Sequence, residues 1–382
     1  MMTMTTRAGT LGQIGGALAL CLSLGACDGE SAGLGGGSGE GSGEGSGEVH
    51  FRDGGNGTWG TGKLNTNFLG EDETFPFNSI PTSDDPQADI RLHAVWATHC
   101  VDRLNNIVYD NELFYTSDLN GELGISVTDG ELGPTTFRKY GDDNVTCTVA
   151  GQDWKHTIWG IVTRDAADVL HNNYLMIMDR RLDPNGNRIY KWGVLTGNNP
   201  FSPDSYTPTC NEDEDPDEEP FGDVWAYRYY AYLIDGLSVD PDTGSFATVP
   251  DLLYTACRSG AVGKAVSWNY APWEWGSDVH ELATMVVRAD YCGNGTPYTQ
   301  EGNRLQLDDD FDINSYEDVN FGDEAAWDLA VGRASCVTMP REHDLRPGFA
   351  GISCDIDGEP LTLPACDPQA NAAATITTKL GD

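Results

Sequence analysis

His280 is followed at once by Glu281. That pair opens the arrangement in which two imidazoles one helical turn apart hold zinc while the glutamate activates water. Position 284 is Thr284, so the second ligand is missing. His93 and His99 would share a strand face, but six residues at ~3.4 Å each put them about 20 Å apart, too far for one metal. Two nucleotide-like strings overlap upstream: GNGTWG at residues 55–60 fits GxGxxG, and GTWGTGK at 57–63 fits GxxxxGK. Neither follows an apolar strand, and Leu64 stands where a phosphate loop needs Ser or Thr for magnesium, so both read as turn glycines. No GxSxG elbow offers a serine nucleophile.

Calcium is the most serious chemical option. Asp308, Asp310, Asp312 and Asn314 are expected on one face of a strand, and hard carboxylates without competing lysines suit Ca²⁺. An EF-hand loop starting at Asp308 would require Gly at 313 and Glu at 319, where the chain has Ile313 and Val319. Asp308, Asp310 and Asp312 therefore stand as a candidate metal set, weighed against a plain solvated acidic face; no other cofactor is indicated.

Charge narrows the partners. The 382 residues carry 60 Asp and Glu against 22 Lys and Arg, a formal net charge of −38. Such a surface repels nucleic acid and anionic lipid, and attracts cations or basic partners.

The start of the chain reads as an address. Arg7 precedes a mostly apolar stretch at 11–24, too short and too weakly apolar to remain as a spanning helix. Its end, Leu24-Gly25-Ala26-Cys27, resembles the lipobox of bacterial lipoproteins. That resemblance implies a signal peptide at 1–26 and diacylglycerol on the Cys27 thiol. Two or three acyl chains, at ~0.8 kcal/mol per buried CH₂, make a stable membrane anchor. Residues 28–48 follow as a Gly/Ser/Glu run with GSGE three times in tandem, a coil spanning on the order of 25 Å. It reads as a flexible tether. Asp28 resembles an inner-membrane retention signal of enteric bacteria, but the outer membrane or cell surface is favoured.

Eight cysteines remain beyond Cys21 and Cys27: Cys100, Cys147, Cys210, Cys257, Cys292, Cys336, Cys354 and Cys366. An even set in an exported chain, without any CxxC, points to disulfides and not to metal. Eight thiols allow 105 connectivities. The simplest, pairing in sequence order, is the expectation: 100–147, 210–257, 292–336 and 354–366.

These residues need a scaffold, and strand signals dominate. ADIRLHAVWA alternates Ile90, Leu92, Ala94 and Trp96 on one face. YLMIMD and RIYKWGVL flank a hairpin turn at Asn185-Gly186. VWAYRYYAYLID reads as an aromatic strand, and RLQLDDDFDIN alternates Leu305, Leu307, Phe311 and Ile313. One main helix is expected at about 278–291, with Ser277 or Asp278 as N-cap and Val279, Leu282, Val286 and Ala289 on its apolar face. DEAAWDLA, residues 323–330, is expected to add a second short helix. The fold class is thus α+β, predominantly antiparallel β and disulfide-braced. The expected organisation is a β-rich region at 49–210, an acidic loop at 211–220, a second region at 221–366 and a disordered tail at 367–382. Most of the Trp and Tyr are expected in the core.

In order, YTACRSGAVGKAVSWNYAPW, VHELATMVVRADYCGNGTPYT and EAAWDLAVGRASCV, spread over residues 254–341, resemble the ADYC-domain family of exported bacterial proteins, many of them lipoproteins. The eponymous motif here is Ala289-Asp290-Tyr291-Cys292. Many members carry Cys after the Lys of the GK pair and another in the helix. Here Ala265 and Ala283 hold those places, which fits joint loss of one bridge. The resemblance implies no reaction. Physically, Cys292 at a helix C-terminus faces a dipole that disfavours thiolate, so a staple is its natural role. Asp290 and Arg288 are expected to tie the helix end to a neighbouring turn. Asp290 paired with His280 as general base is disfavoured by about 15 Å of helix. The expectation is a lipid-anchored envelope protein, a non-enzymatic binding or structural module with an envelope, extracellular-protein or glycan partner. The alternative is a Ca²⁺-assisted extracytoplasmic hydrolase or a calcium-binding surface protein.

Overall fold

A computed structural model describes residues 58–59, 61, 63–65, 79–82, 90–102, 104–116, 125–164, 167–210, 229–299, 304–316, 321–356 and 358–381. The leader, Cys27, the tether and the acidic loop at 211–220 lie outside the described residues.

The first part of the chain gives β1 (Thr58–Trp59), β2 (Ser79–Pro81), β3 (Ile90–Asp102), β4 (Ile107–Thr116), β5 (Val127–Thr128), β6 (Glu131–Leu132), β7 (Thr135–Lys139) and β8 (Asp142–Val149). Then come β9 (Ile158–Arg164), β10 (Leu170–Leu182), β11 (Arg188–Leu195), β12 (Tyr206–Pro208), β13 (Ala231–Val239) and β14 (Phe246–Cys257). Three helices follow: α1 (Ala261–Ser267), α2 (Pro272–Trp275) and α3 (Ser277–Arg288). The chain closes with β15 (Arg304–Asp309), β16 (Gly322–Asp328), β17 (Arg333–Val337), β18 (Ile352–Ile356), β19 (Glu359–Leu363), α4 (Pro368–Ala372) and β20 (Ile376–Leu380).

Among the described residues, an eleven-stranded antiparallel sheet runs β2-β14-β13-β11-β10-β9-β3-β4-β7-β8, with β12 paired to β11. A five-stranded sheet runs β1-β15-β20-β16-β17. The fold class is therefore α+β, mostly antiparallel and braced by four disulfides. Strands β13 and β14, beyond the acidic loop in sequence, join the same sheet as β2–β4 and β7–β12 before it, and Cys210–Cys257 ties the two sides.

The large sheet curls at one end. Past Trp96, β3 has no further β9 partner; Val101 pairs with Val108 of β4 on one edge and Thr148 of β8 on the other. Cys100–Cys147 locks that closed end from inside, where Phe114, Phe137 and Trp154 are also buried. Trp159 packs edge-on against Trp192 with centroids 5.2 Å apart, and Trp154 adjoins Trp159 at 5.9 Å. Trp154, Trp159, Trp192, Trp268 and Trp327 are core, as are Tyr190, Tyr232, Tyr254, Tyr270 and Tyr291, while Tyr140 and Trp275 are exposed. The single face expected for Ile90, Leu92, Ala94 and Trp96 is broken by a bulge between Leu92 and Ala94. Beyond it Val95 and Ala97 enter the main core, while Trp96 turns to the opposite cluster with Ile158, Met176 and Tyr206. One extra residue in a strand reverses every side chain after it.

The smaller sheet corrects two expectations. Residues 323–328 are strand and 329–330 turn, not helix. Glu324, Ala325 and Ala326 are good helix formers, but pairing with β17 and β20 on both edges buries Glu324 through Trp327 consecutively, and that burial overrides local propensity. Of the tail expected to be disordered at 367–382, residues 368–372 form α4 and 376–380 form β20 at the centre of the sheet, and Asp367 caps α4 through the amides of Gln369 and Ala370. Ile376 and Leu380 are buried in the same cluster as α3.

Two of the four bridges also depart from sequence order. Cys100–Cys147 and Cys210–Cys257 form as expected, but the remaining pairs are Cys292–Cys354 and Cys336–Cys366, with Cα separations of 5.4 and 4.9 Å. The hairpin β18–β19 carries Cys354 to the exit of α3, while β17 carries Cys336 toward the segment before α4. The two links interleave.

Peptide mapping of the unreduced protein is expected to recover 292–354 and 336–366 linked fragments. Removing the first pair as the double serine variant should cost about 4 kcal/mol, the chain-entropy value for a loop of that size, read by urea unfolding. Recovery of a 292–336 fragment contradicts the fold.

Candidate functional site

The motif at the end of α3 is assembled from local geometry upward. Val279, Leu282, Ala283, Val286 and Val287 bury one face of the helix. Its N-cap is Gly276 at φ 86°, with no side-chain capping bond, and not the expected Ser277 or Asp278. At the other end Ala289 adopts the left-handed conformation at φ 52°, and the Asp290 amide reaches back to the Met285 carbonyl. Glycine is usual there; the small buried Ala289 pays about 1 kcal/mol of strain but keeps a methyl in the core.

Asp290 then organises the Gly-Asn-Gly turn. Its carboxylate accepts from the amides of Asn294 (3.2 Å) and Gly295 (2.7 Å), and Arg288 Nη1 lies 3.8 Å away. Arg288 Nη2 donates to the Gly295 carbonyl at 2.7 Å. Burial pushes the Asp290 carboxyl up, against the pull of those amides and of Arg288. Gly295, at φ 86°, touches the β13–β14 turn so closely that a Cβ would fall 2.3 Å from the Asp242 carbonyl. The expected tie between helix end and neighbouring turn is thus in place.

Tyr291 opens a second network, fully buried. Its hydroxyl donates to Glu324 Oε1 at 2.8 Å and accepts from the Arg341 amide at 3.0 Å. Arg341 Nε and Nη2 grip the two Glu324 oxygens at 2.7 and 3.3 Å, and Nη1 donates to the Val287 carbonyl at 2.8 Å. Glu324 and Arg341 both have 0% of their surface exposed. The Tyr291 ring stacks on Trp327 at 5.5 Å, and Cys292 is bridged to Cys354. Burial, first, and the Glu324 charge raise the Tyr291 hydroxyl well above its ordinary range, so it acts as a neutral donor. Asp, Tyr and Cys of the motif are spent on internal contacts.

The other candidates resolve similarly. Ala265 and Ala283 lie buried in one cluster, on helices that pack together. From the end of the GK-like string onward, contacts run to α1 and β14. Lys63 and Leu64 carbonyls accept the Ala261 and Val262 amides at the start of α1, and Asn65 accepts from Cys257 N and donates to the Thr255 carbonyl. Of the acidic set, the strand ends at Asp309, so Asp308, Asp310 and Asp312 do not share a strand face. The turn is held instead by Asp309, which accepts from the amides of Phe311, Ile313 and Asn314 and from the Tyr270 hydroxyl. Among the described residues no group of three or more His, Cys, Asp and Glu is placed to hold a metal ion. His280 donates Nδ1–H to the Tyr270 carbonyl at 2.8 Å, leaving Nε2 buried without a partner. Burial lowers its pKa to about 4.

A cleft of about 380 Å³ lies away from this corner, between the β5–β6 turn, β13 and the start of α2 and α3. Asp129, Asp235, Leu237, Trp273 and Ser277 line it. Apart from Ser277, expected as a helix N-cap, sequence reading singled out none of them, nor Glu324 and Arg341; no local pattern marks residues that meet only through the fold.

Residues 164–343 match the model of the ADYC domain. This stretch is an ADYC domain. It is wider than the motifs at 254–341 suggested, beginning at the last residue of β9 and running through β10–β14 as well as the helices, β15, β16 and β17. Both ends of the buried Tyr291–Glu324–Arg341 network fall inside it. No curated protein and no solved structure matches the chain.

Two measurements test this corner of the ADYC domain. Glu324→Leu alone, which strands the Arg341 charge, is expected to cost about 3–5 kcal/mol in urea unfolding, and adding Arg341→Met to it should recover a large part. Additive losses contradict the ion-pair account. His280, near 4 when folded and 6.5 when unfolded, stabilises fully above pH 6.5 and loses that contribution as pH falls toward 4. The loss amounts to about 3 kcal/mol, and His280→Asn should remove this slope from stability measured against pH.

Proposed function

We infer that this protein is a cell-envelope lipoprotein, tethered through acylated Cys27 by the Gly/Ser/Glu run, whose ADYC domain serves as a binding or structural module and not as an enzyme. The observation that carries the reading is the fate of the motif: Asp290, Tyr291 and Cys292 are 2% exposed or less and committed to the turn, the ion pair and a disulfide. A side chain so engaged has no face to offer a substrate. Four disulfides fit an oxidising compartment outside the cytoplasm. Among the described residues no helix is long and apolar enough to cross a membrane, and an acyl anchor would supply the attachment. The acidic balance speaks for basic or neutral partners in the envelope or beyond it, protein or glycan, and against nucleic acid.

Cell fractionation tests the anchor. The full chain is expected in the membrane pellet, released by detergent, with an N-terminal peptide whose mass includes diacylglycerol on Cys27. Cys27→Ser should move it to the soluble fraction without changing the melting temperature of the folded body. A soluble wild type, or an unmodified Cys27 in the mature chain, overturns the reading.

A further inference from the structure

The four disulfides do not sit in equal surroundings. Cys100, Cys147, Cys210 and Cys257 are buried in the main core of the large sheet, and Cys292 and Cys354 in the core around α3. Cys336 belongs to neither. With Ala326 and Ala374 it forms a satellite cluster of three buried residues, against which Cys366 and Ala370 pack only partly buried. The other seven bridged cysteines are 2% exposed or less. Cys366 alone among the eight is partly exposed.

The backbone around Cys366 is also lightly supported. Residues 364–367 form neither strand nor helix between β19 and α4. The Cys366 amide donates to Thr338 Oγ1 at 3.2 Å, and the Val337 amide to the Pro364 carbonyl at 2.9 Å. Helix α4, which follows, has five residues, too few to stand alone in water. It meets the satellite cluster through Ala370. Strand β20, by contrast, is paired on both edges, with β15 and β16. A thiolate must reach a sulfur to break a bridge, so a buried disulfide exchanges only when the structure around it opens. Cys336–Cys366 has a partly exposed end, on a segment that can yield while the sheet stays whole.

We propose that Cys336–Cys366 is a redox switch, opened in the folded protein by an external dithiol, and that it governs the docking of α4. Exchange enters at Cys366. The incoming thiolate forms a mixed disulfide with Cys366 Sγ, and the electron pair of the broken S–S bond goes to Cys336 Sγ, which takes up a proton. The second thiol of the reductant then displaces Cys366, leaving two protein thiols and the reductant oxidised to a disulfide. In the reduced state α4 loses its covalent link to β17 and undocks. Strand β20 stays in the sheet, and Cys292–Cys354 keeps the β18–β19 hairpin on the exit of α3.

The test treats the full, oxidised chain with dithiothreitol under native conditions, followed by acid quenching, alkylation with N-ethylmaleimide and peptide mapping. Cys336 and Cys366 are expected to be alkylated together, about tenfold faster than any other bridged cysteine. Reduction of another bridge first or at the same rate, or of none short of unfolding, overturns the proposal. Cysteamine, a monothiol, should be trapped on Cys366; trapping on Cys336 overturns the route of entry. Hydrogen exchange reads the consequence. In the reduced chain the amides of Asn371, Ala373 and Ala374, all hydrogen-bonded within α4 and its ends, should exchange about tenfold faster, and those of β20 at the oxidised rate. Unchanged protection of α4, or loss of β20 along with it, overturns the switch. Glutathione disulfide should restore both bridge and protection, and a reduced chain that cannot re-form the bridge likewise counts against it.

Discussion

The fold is constrained most tightly by the charges it keeps without water. Glu324 and Arg341 are wholly buried, and a buried pair of this kind repays its desolvation only if every hydrogen-bonding position is filled. Here the filling comes from separate elements: β16 brings Glu324, the segment after β17 brings Arg341, the exit of α3 brings the Tyr291 hydroxyl, and its last turn brings the Val287 carbonyl. None can shift by an ångström without stranding a charge. The network thus selects one arrangement of helix against sheet among the many that apolar packing alone would tolerate. That explains why the motif is a helix exit: Tyr291 must leave the helix axis to reach the pair, and the left-handed Ala289 makes the turn.

Around this point the covalent links divide the work. Cys292–Cys354 fixes the helix exit to the β18–β19 hairpin, and Cys336–Cys366 fixes the edge strand β17 to the segment leading into α4 and β20. Because the two loops interleave, neither sheet edge nor helix end can open alone while both bridges hold. The large sheet uses the same device at its curled end and between β12 and β14. In each case a bridge sits where the ladder is weakest, at a single-pair contact or past a strand end.

What was legible in the sequence was what local spacing decides. The apolar stripe of α3 follows from Val279, Leu282 and Val286; the hairpin at Asn185-Gly186 follows from turn chemistry, and Gly186 indeed has φ 89°. The oxidised state of the eight cysteines followed from their even number. What escaped depends on partners distant in the chain. The segment at 323–330 carries helix-forming Glu and Ala, and becomes strand only because β17 and β20 flank it. Strand β20 is short and has three polar residues in a row, Thr377, Thr378 and Lys379, so it read as tail; its burial exists only once β15 and β16 are in place. The acidic run misled for a different reason. Side-chain period alone cannot tell that Asp309 will cap a turn rather than continue a strand, and that one residue decides whether its neighbours share a face.

Scaffold and cleft also obey different rules, and the difference bears on where a ligand can act. At the ADYC corner, the irregular backbone is held internally: the Asp290 carboxylate takes the turn amides, a bridge fixes Cys292, and Asp290, Tyr291 and Cys292 are buried. At the cleft, positive-φ residues and a bulge border open volume. Strain held with solvent access is the kind that positions groups for an incoming molecule, whereas strain sealed in a core positions the chain for itself. A family motif can therefore be diagnostic of the domain without being its working surface. Substitution in the motif would act on binding only through unfolding.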